Sequence, residues 1–70
     1  MKRTRNSPAL GLVLAIDAAG SISELARRLE LSRQAVSQWL QIPLERVIDV
    51  EKATGVPRAD LRPDFWEHAK

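Results

Sequence analysis

Apolar residues recur at three- and four-residue spacing in two short segments near the middle of the chain, with polar residues between them. Each segment therefore has one apolar face and one polar face, as expected for a helix packed on a core. The pattern predicts two helices, over about residues 22–29 and 33–40. The predicted core-facing positions are Ile22, Leu25, Ala26 and Leu29 in the first helix, and Ala35, Val36, Trp39 and Leu40 in the second.

Both segments begin with a helix-start signal. Ser21 is followed three residues later by Glu24, and the two side chains can each accept a hydrogen bond from a backbone N–H that the helix start leaves unpaired. Ser32 offers a second N-cap. Because so short a connection forces a large angle between the two helices, the sequence predicts a helix-turn-helix.

Proline and glycine residues mark further helices on both sides of this motif. Pro8 suits a first helical position and Gly20 a helix end, while Pro43 breaks the second motif helix and Gly55 ends the next one. The sequence therefore predicts an all-α fold, a small bundle of four to five helices. The additional helices are expected at about residues 8–19, 44–54 and 58–61, with residues 1–7 as a basic arm, 8–66 as the domain and 67–70 as a tail.

The composition excludes several kinds of site. Seventy residues make one small domain, and the chain has no cysteine and a single histidine, His68, so neither a thiolate nor a histidine metal site can form. We expect no cofactor and, because no catalytic constellation is visible, no enzyme. The longest apolar run, Leu12 to Ile16, is too short to span a bilayer, so we expect a cytoplasmic or nucleoid-associated protein.

Four polar residues are expected on the outer face of the second motif helix. Arginine can bind guanine through two parallel hydrogen bonds, glutamine can pair a donor and an acceptor with adenine, and serine is short enough to permit close approach. Double-stranded DNA is therefore the partner that this face suggests, although ordinary solvated polar residues would give the same pattern. The candidate base-contacting residues are Arg33, Gln34, Ser37 and Gln38.

The motif residues resemble those of the Cro/C1-type helix-turn-helix superfamily, which has a lambda-repressor/Cro-like fold. The flanking residues are similar to the YdaS-type Cro-like subfamily of antitoxins, and the likeness covers about residues 15–66. It is carried by Ser21, Leu25, Ala26, Leu31, Ser32, Arg33, Gln34, Ala35, Val36, Ser37 and Trp39. The resemblance implies base contacts from the four residues above and phosphate contacts near the N-termini of both motif helices. Glu30 departs from the pattern, because the family usually has glycine at this turn, where a left-handed backbone is needed.

Positive charge lies mainly in the first part of the chain. Residues 1–42 carry six Lys and Arg against three acids, whereas residues 43–70 carry five against six. This distribution favours phosphate contact, although the N-terminal cations are equally compatible with a solubilising terminus. The candidate phosphate-contacting residues are Ser21, Ser23, Ser32, Arg27, Arg28, Lys2, Arg3 and Arg5.

Two groups of apolar residues carry more apolar surface than so small a core can cover. The helix at 8–19 is apolar almost all the way round, and a Phe-Trp pair near the end of the chain would leave roughly 300 Å² of apolar surface wet if it were exposed. We expect a subunit or partner contact at these groups, or folding of the aromatic pair back onto the core. The candidates are Leu10, Val13, Leu14, Phe65 and Trp66.

Two functions compete at this point. The first is a Cro-like, sequence-specific transcriptional regulator that binds an inverted-repeat operator as a homodimer, since one such motif covers only about four base pairs. The alternative is an antitoxin or adaptor that acts chiefly by binding another protein, such as a toxin or a polymerase.

Overall fold

The described residues, 8–66 of a computed structural model, fold into five α-helices and one short 3₁₀ turn. Their order is α1 (Pro8–Ala19), α2 (Ile22–Leu29), α3 (Arg33–Ser37), the 3₁₀ turn (Leu44–Arg46), α4 (Val47–Thr54) and α5 (Arg58–Leu61). The predicted all-α fold and small helical bundle are confirmed. Residues 1–7 and 67–70, the predicted arm and tail, lie outside the described residues.

Helix α1 has the boundaries that proline and glycine predicted. The Gly20 N–H donates to the Ile16 carbonyl at 2.9 Å, and Gly20 adopts φ 109°, a conformation that ends the helix. Gly11 lies against α5 so closely that an added Cβ would stand 2.0 Å from the Leu61 carbonyl oxygen. A glycine is therefore required at the contact between the first and last helices.

The core lies between α1, α2, α4 and α5, with α3 seated on it through Val36. All ten of its buried members are aliphatic residues, which are among the residue types most often fully buried. They are Leu12, Ala15, Ala19, Leu25, Ala26, Val36, Ile42, Val47, Val50 and Leu61.

The segment after α3 differs from its prediction in two ways. Helix α3 ends at Ser37 rather than at residue 40, and Leu40, expected in the core, is 87% exposed. Ile42 is fully buried and fills the space instead. The chain leaves the helix after Ser37 and turns Ile42, not Leu40, toward the core.

The helix predicted over residues 44–54 is split. Residues 44–46 form a 3₁₀ turn, in which the Arg46 N–H donates to the Pro43 carbonyl at 2.9 Å, and the regular helix begins at Val47. The Leu44 side chain in this turn is exposed. Gly55, at φ 81°, ends the helix as expected.

The aromatic pair near the end of the described chain is divided between core and surface. Trp66 packs against the core, whereas Phe65 is 61% exposed, and their rings meet edge to face with centroids 4.7 Å apart. Only one of the two aromatic side chains therefore folds back as expected.

Within residues 8–66, no single helix is long and apolar enough to cross a membrane. Helices α1 and α2 satisfy such a criterion only when taken together, and an 87° bend separates them.

Candidate nucleic-acid interface

Helix α2 begins at the predicted cap. The Ser21 Oγ accepts a hydrogen bond from the Glu24 N–H at 3.0 Å. The Glu24 carboxylate takes a different partner from the one the capping pattern predicts, because it binds the guanidinium groups of Arg27 and Arg28 on the same helix. Half of the predicted reciprocal cap is therefore present.

The turn between α2 and α3 is closed by Glu30 in a left-handed conformation. Glu30 has φ 61° and ψ 38°, and its N–H donates to the Arg27 carbonyl at 3.1 Å. The next N–H, from Leu31, donates to the Ala26 carbonyl at 2.9 Å. These two bonds satisfy carbonyls that a helix end leaves free, so Glu30 performs the role that glycine has in related turns.

Helix α3 presents the four candidate base-contacting residues to solvent. Ser32 caps it, with its Oγ accepting from the Ala35 N–H at 3.0 Å, and Val36, only 1% exposed, anchors it to the core. The Ser37 Oγ donates to the Gln34 carbonyl at 3.0 Å. The exposed side chains on its outer face are Arg33, Gln34, Ser37 and, at the C-cap, Gln38.

The two arginines predicted to contact phosphates are engaged within the protein. Hydrogen bonds from Arg27 and then Arg28 lower the pKa of the Glu24 carboxyl to about 2. Arg28 also donates to the Ala53 carbonyl at 3.0 Å and so links α2 to α4. Arg27 is the more exposed of the two, so it is the better placed for a phosphate.

The remaining candidate phosphate contacts are of two kinds. Ser21, Ser23 and Ser32 are exposed, but the hydroxyls of Ser21 and Ser32 already cap helices. The basic residues Lys2, Arg3 and Arg5 lie outside the described part of the chain.

Arg62 is a structural residue that sequence reasoning missed. It is only 6% exposed, and its Nη1 donates to the Ile42 carbonyl at 2.7 Å. Its Nε and Nη2 bind the Asp64 carboxylate at 2.8 and 2.6 Å, an interaction that raises the pKa of Arg62 and lowers the pKa of Asp64. The only signal in the sequence was an acid two residues after an arginine, which is too common to be informative.

The candidate interface residues on α1 share an outward face. Val13 is 57% exposed, Leu14 is exposed and Leu10 is half-buried, whereas the opposite face of the helix carries the core residues. Phe65 supplies a further exposed apolar side chain near the end of the chain, while Trp66 is half-buried. These positions remain candidates for a contact with a second copy or another protein.

A shallow cavity of about 440 Å³ lies between the end of α2 and the outer side of α4. Its lining includes both positively and negatively charged side chains, and Arg28 is the only predicted site residue among them. The lining residues are Arg28, Leu29, Glu30, Arg46, Asp49, Lys52 and Ala53. No group of three or more metal-ligating side chains occurs within residues 8–66.

Comparison with known proteins and protein families identifies the family to which this chain belongs. Neither the curated proteins nor the solved structures include a match to this chain. A family model described as bacterial toxin YdaS matches residues 12–69. The match confirms the YdaS-type resemblance, although its description speaks of a toxin where the resemblance implied an antitoxin. The chain therefore belongs to the bacterial toxin YdaS family.

Proposed function

We propose that this chain is a non-catalytic, sequence-specific DNA-binding regulator of a toxin–antitoxin type of system, with α3 as the helix that reads bases. The observation that carries the proposal is the outer face of α3. Arginine, glutamine and serine side chains stand exposed there on a helix that a cap and a buried valine hold in place. These side chains match the hydrogen-bonding groups of base edges in the major groove.

The phosphate contacts have a separate role in this proposal. Contacts from Arg27 and from the basic N-terminal residues position the protein without reading sequence, and they make binding depend steeply on salt. Arg27 donates a hydrogen bond to the Glu24 carboxylate. We therefore expect Glu24 to restrict the position of the Arg27 side chain rather than to remove that side chain from the interface.

A homodimer completes the proposal. Helix α3 has only five residues, so a single copy spans too few base pairs for the affinity of a typical operator. Two copies related by a two-fold axis would bind two half-sites about one turn of DNA apart, and occupancy of that site would block a polymerase or a competing repressor. The exposed apolar face of α1 is the surface proposed for the contact between copies.

Substitution of Gln34 by alanine tests base reading. We expect a loss of about 1 to 3 kcal/mol on the preferred duplex and little change on random DNA, because the lost hydrogen bonds are specific to one base pair. Lys52→Ala is the control, since Lys52 is exposed on α4 and lies outside the proposed reading face. Equal losses on both duplexes for Gln34→Ala would contradict base reading.

A second candidate function is supported by the apolar surface and by the family description. Val13, Leu14 and Phe65 are exposed, and the matching family is described as a bacterial toxin. In this alternative the chain binds a toxin or antitoxin partner, or serves as an adaptor, without reading bases. Saturable binding of that protein with no retardation of any duplex at low salt would favour it over the regulator.

A further inference from the structure

Leu40 has the largest exposed fraction of the large apolar side chains in residues 8–66, at 87%. It lies two residues beyond Gln38, in the segment between the end of α3 and the buried Ile42, which we call the 38–42 loop. Exposure of a leucine is unfavourable in water by about 1.5 to 3 kcal/mol relative to burial, and Leu40 follows the C-cap of the proposed reading helix by two residues.

The 38–42 loop is held at both ends, so the exposure of Leu40 is not the result of a loose segment. At the start, the Trp39 N–H donates to the Val36 carbonyl at 3.0 Å, and the Trp39 side chain packs against the core. At the end, Ile42 is fully buried and its carbonyl accepts from the Arg62 Nη1 at 2.7 Å. Leu40 and Gln41 therefore project from two anchored points.

The anchor at Ile42 is itself fixed. Asp64 accepts two hydrogen bonds from Arg62, at 2.8 and 2.6 Å, and orients the guanidinium group toward the Ile42 carbonyl. Because Arg62 is nearly buried and paired, it holds the Ile42 end of the 38–42 loop against the core.

We propose that Leu40 contacts the methyl group of a thymine at the end of the site read by α3, and so adds an apolar contact to the polar ones. This inference rests on the proposed DNA-binding function. The thymine C5-methyl is the apolar group that base edges offer in the major groove, and a leucine methyl is its natural partner. A second copy of the chain is a poorer occupant, because one leucine supplies far less than the roughly 800 Å² that each partner of a standard interface buries.

The test replaces each thymine of the preferred duplex in turn by deoxyuridine, which removes only the methyl group. We expect the unaltered protein to lose about fourfold in affinity at one position, as for about 0.8 kcal/mol of lost apolar burial. The Leu40→Ala variant binds the thymine duplex and the duplex with deoxyuridine at that position equally well, whereas Leu40→Met keeps the preference for thymine. Leu44→Ala, at an exposed apolar residue in the 3₁₀ turn that belongs to neither proposed interface, is the matched control and keeps it as well.

Three results would overturn the inference. One is an unchanged thymine preference in Leu40→Ala at every position, and another is a protein that never distinguishes thymine from uracil. The third is a change in sedimentation on Leu40→Ala, which would place the side chain between copies. Each of these leaves DNA binding itself intact, whereas failure of the unaltered protein to bind any duplex would refute the proposed function and this inference together.

Discussion

Glu30 is the one residue other than glycine at positive φ within residues 8–66. A side chain with a Cβ adopts this conformation at a cost of about 1 kcal/mol, yet the turn between α2 and α3 forms around it. The backbone hydrogen bonds of Glu30 and Leu31 offset that cost, which explains how the motif tolerates a departure from the usual glycine.

Replacement of Glu30 by glycine should raise the free energy of unfolding. We expect a gain of up to about 0.6 kcal/mol, because relief of about 1 kcal/mol of left-handed strain is partly offset by the roughly 0.4 to 1 kcal/mol that the added freedom of the unfolded chain costs. Urea denaturation measures this change in the free energy of unfolding. Gly55→Ala, at φ 81°, is the opposite control and should destabilise the protein by a similar amount. A loss of stability in Glu30→Gly would show that the glutamate side chain, not the backbone, determines the turn.

Glu24 makes the stability depend on pH in a defined direction. Its pKa is lowered from 4.5 to about 2 by Arg27 and Arg28, so its contribution is fully present above about pH 4.5 and is lost as the pH falls toward 2. Because the group is at the surface, salt should weaken the effect. A carboxyl titration followed by magnetic resonance should find the lowered pKa, and Arg27→Ala should raise it. Titration near 4.5 in the unaltered protein would contradict the observed ion pairs.

At the scale of the helices, the contact between α1 and α5 depends on Gly11, which has no side chain. An added Cβ at Gly11 would stand 2.0 Å from the Leu61 carbonyl oxygen, and backbone cannot yield as a flexible side chain does. Gly11→Ala should therefore push the two helices apart.

We expect Gly11→Ala to destabilise the protein by about 1 to 3 kcal/mol, as overpacking does in other cores. Ala18→Ser is a matched control, since it adds one heavy atom on the exposed side of the same helix and should change little. Thermal unfolding of both variants makes the comparison. If Gly11→Ala unfolds at the same temperature as the unaltered protein, α5 does not lie where the structure places it.

Local signals determined which helices could be predicted from sequence. The boundaries of α1 and α5 and the start of α2 follow from proline, glycine and serine, whose effects act within a few residues. The end of α3 could not be predicted, because it depends on whether Leu40 or Ile42 fills the core, a competition decided by tertiary packing. The role of Arg62 was equally hidden, since its partner carbonyl is twenty residues away.

The candidate site was predictable to a similar extent. The outer face of α3 follows from helical periodicity, and all four of its polar side chains are exposed. Periodicity could not predict that Arg27 and Arg28 bind Glu24. Long side chains on one helix face can reach several partners, and periodicity does not say which partner each side chain takes.

At the scale of the whole molecule, the exposed face of α1 is the proposed contact between copies. Leu14→Glu should weaken self-association, because it places a charge in an apolar interface. Lys52→Glu, also at an exposed position but on α4, is the control and should leave the sedimentation profile unchanged. An unchanged profile for Leu14→Glu would exclude this face of α1 as the dimer contact.

The most direct test of base reading by α3 is selection of bound duplexes from a random pool, followed by sequencing. The proposal predicts an enriched inverted repeat whose half-sites lie about one turn of DNA apart. It also predicts that Gln34→Ala relaxes the preference at one position in each half-site. A pool that remains random after repeated rounds, although the protein is folded, would contradict the account.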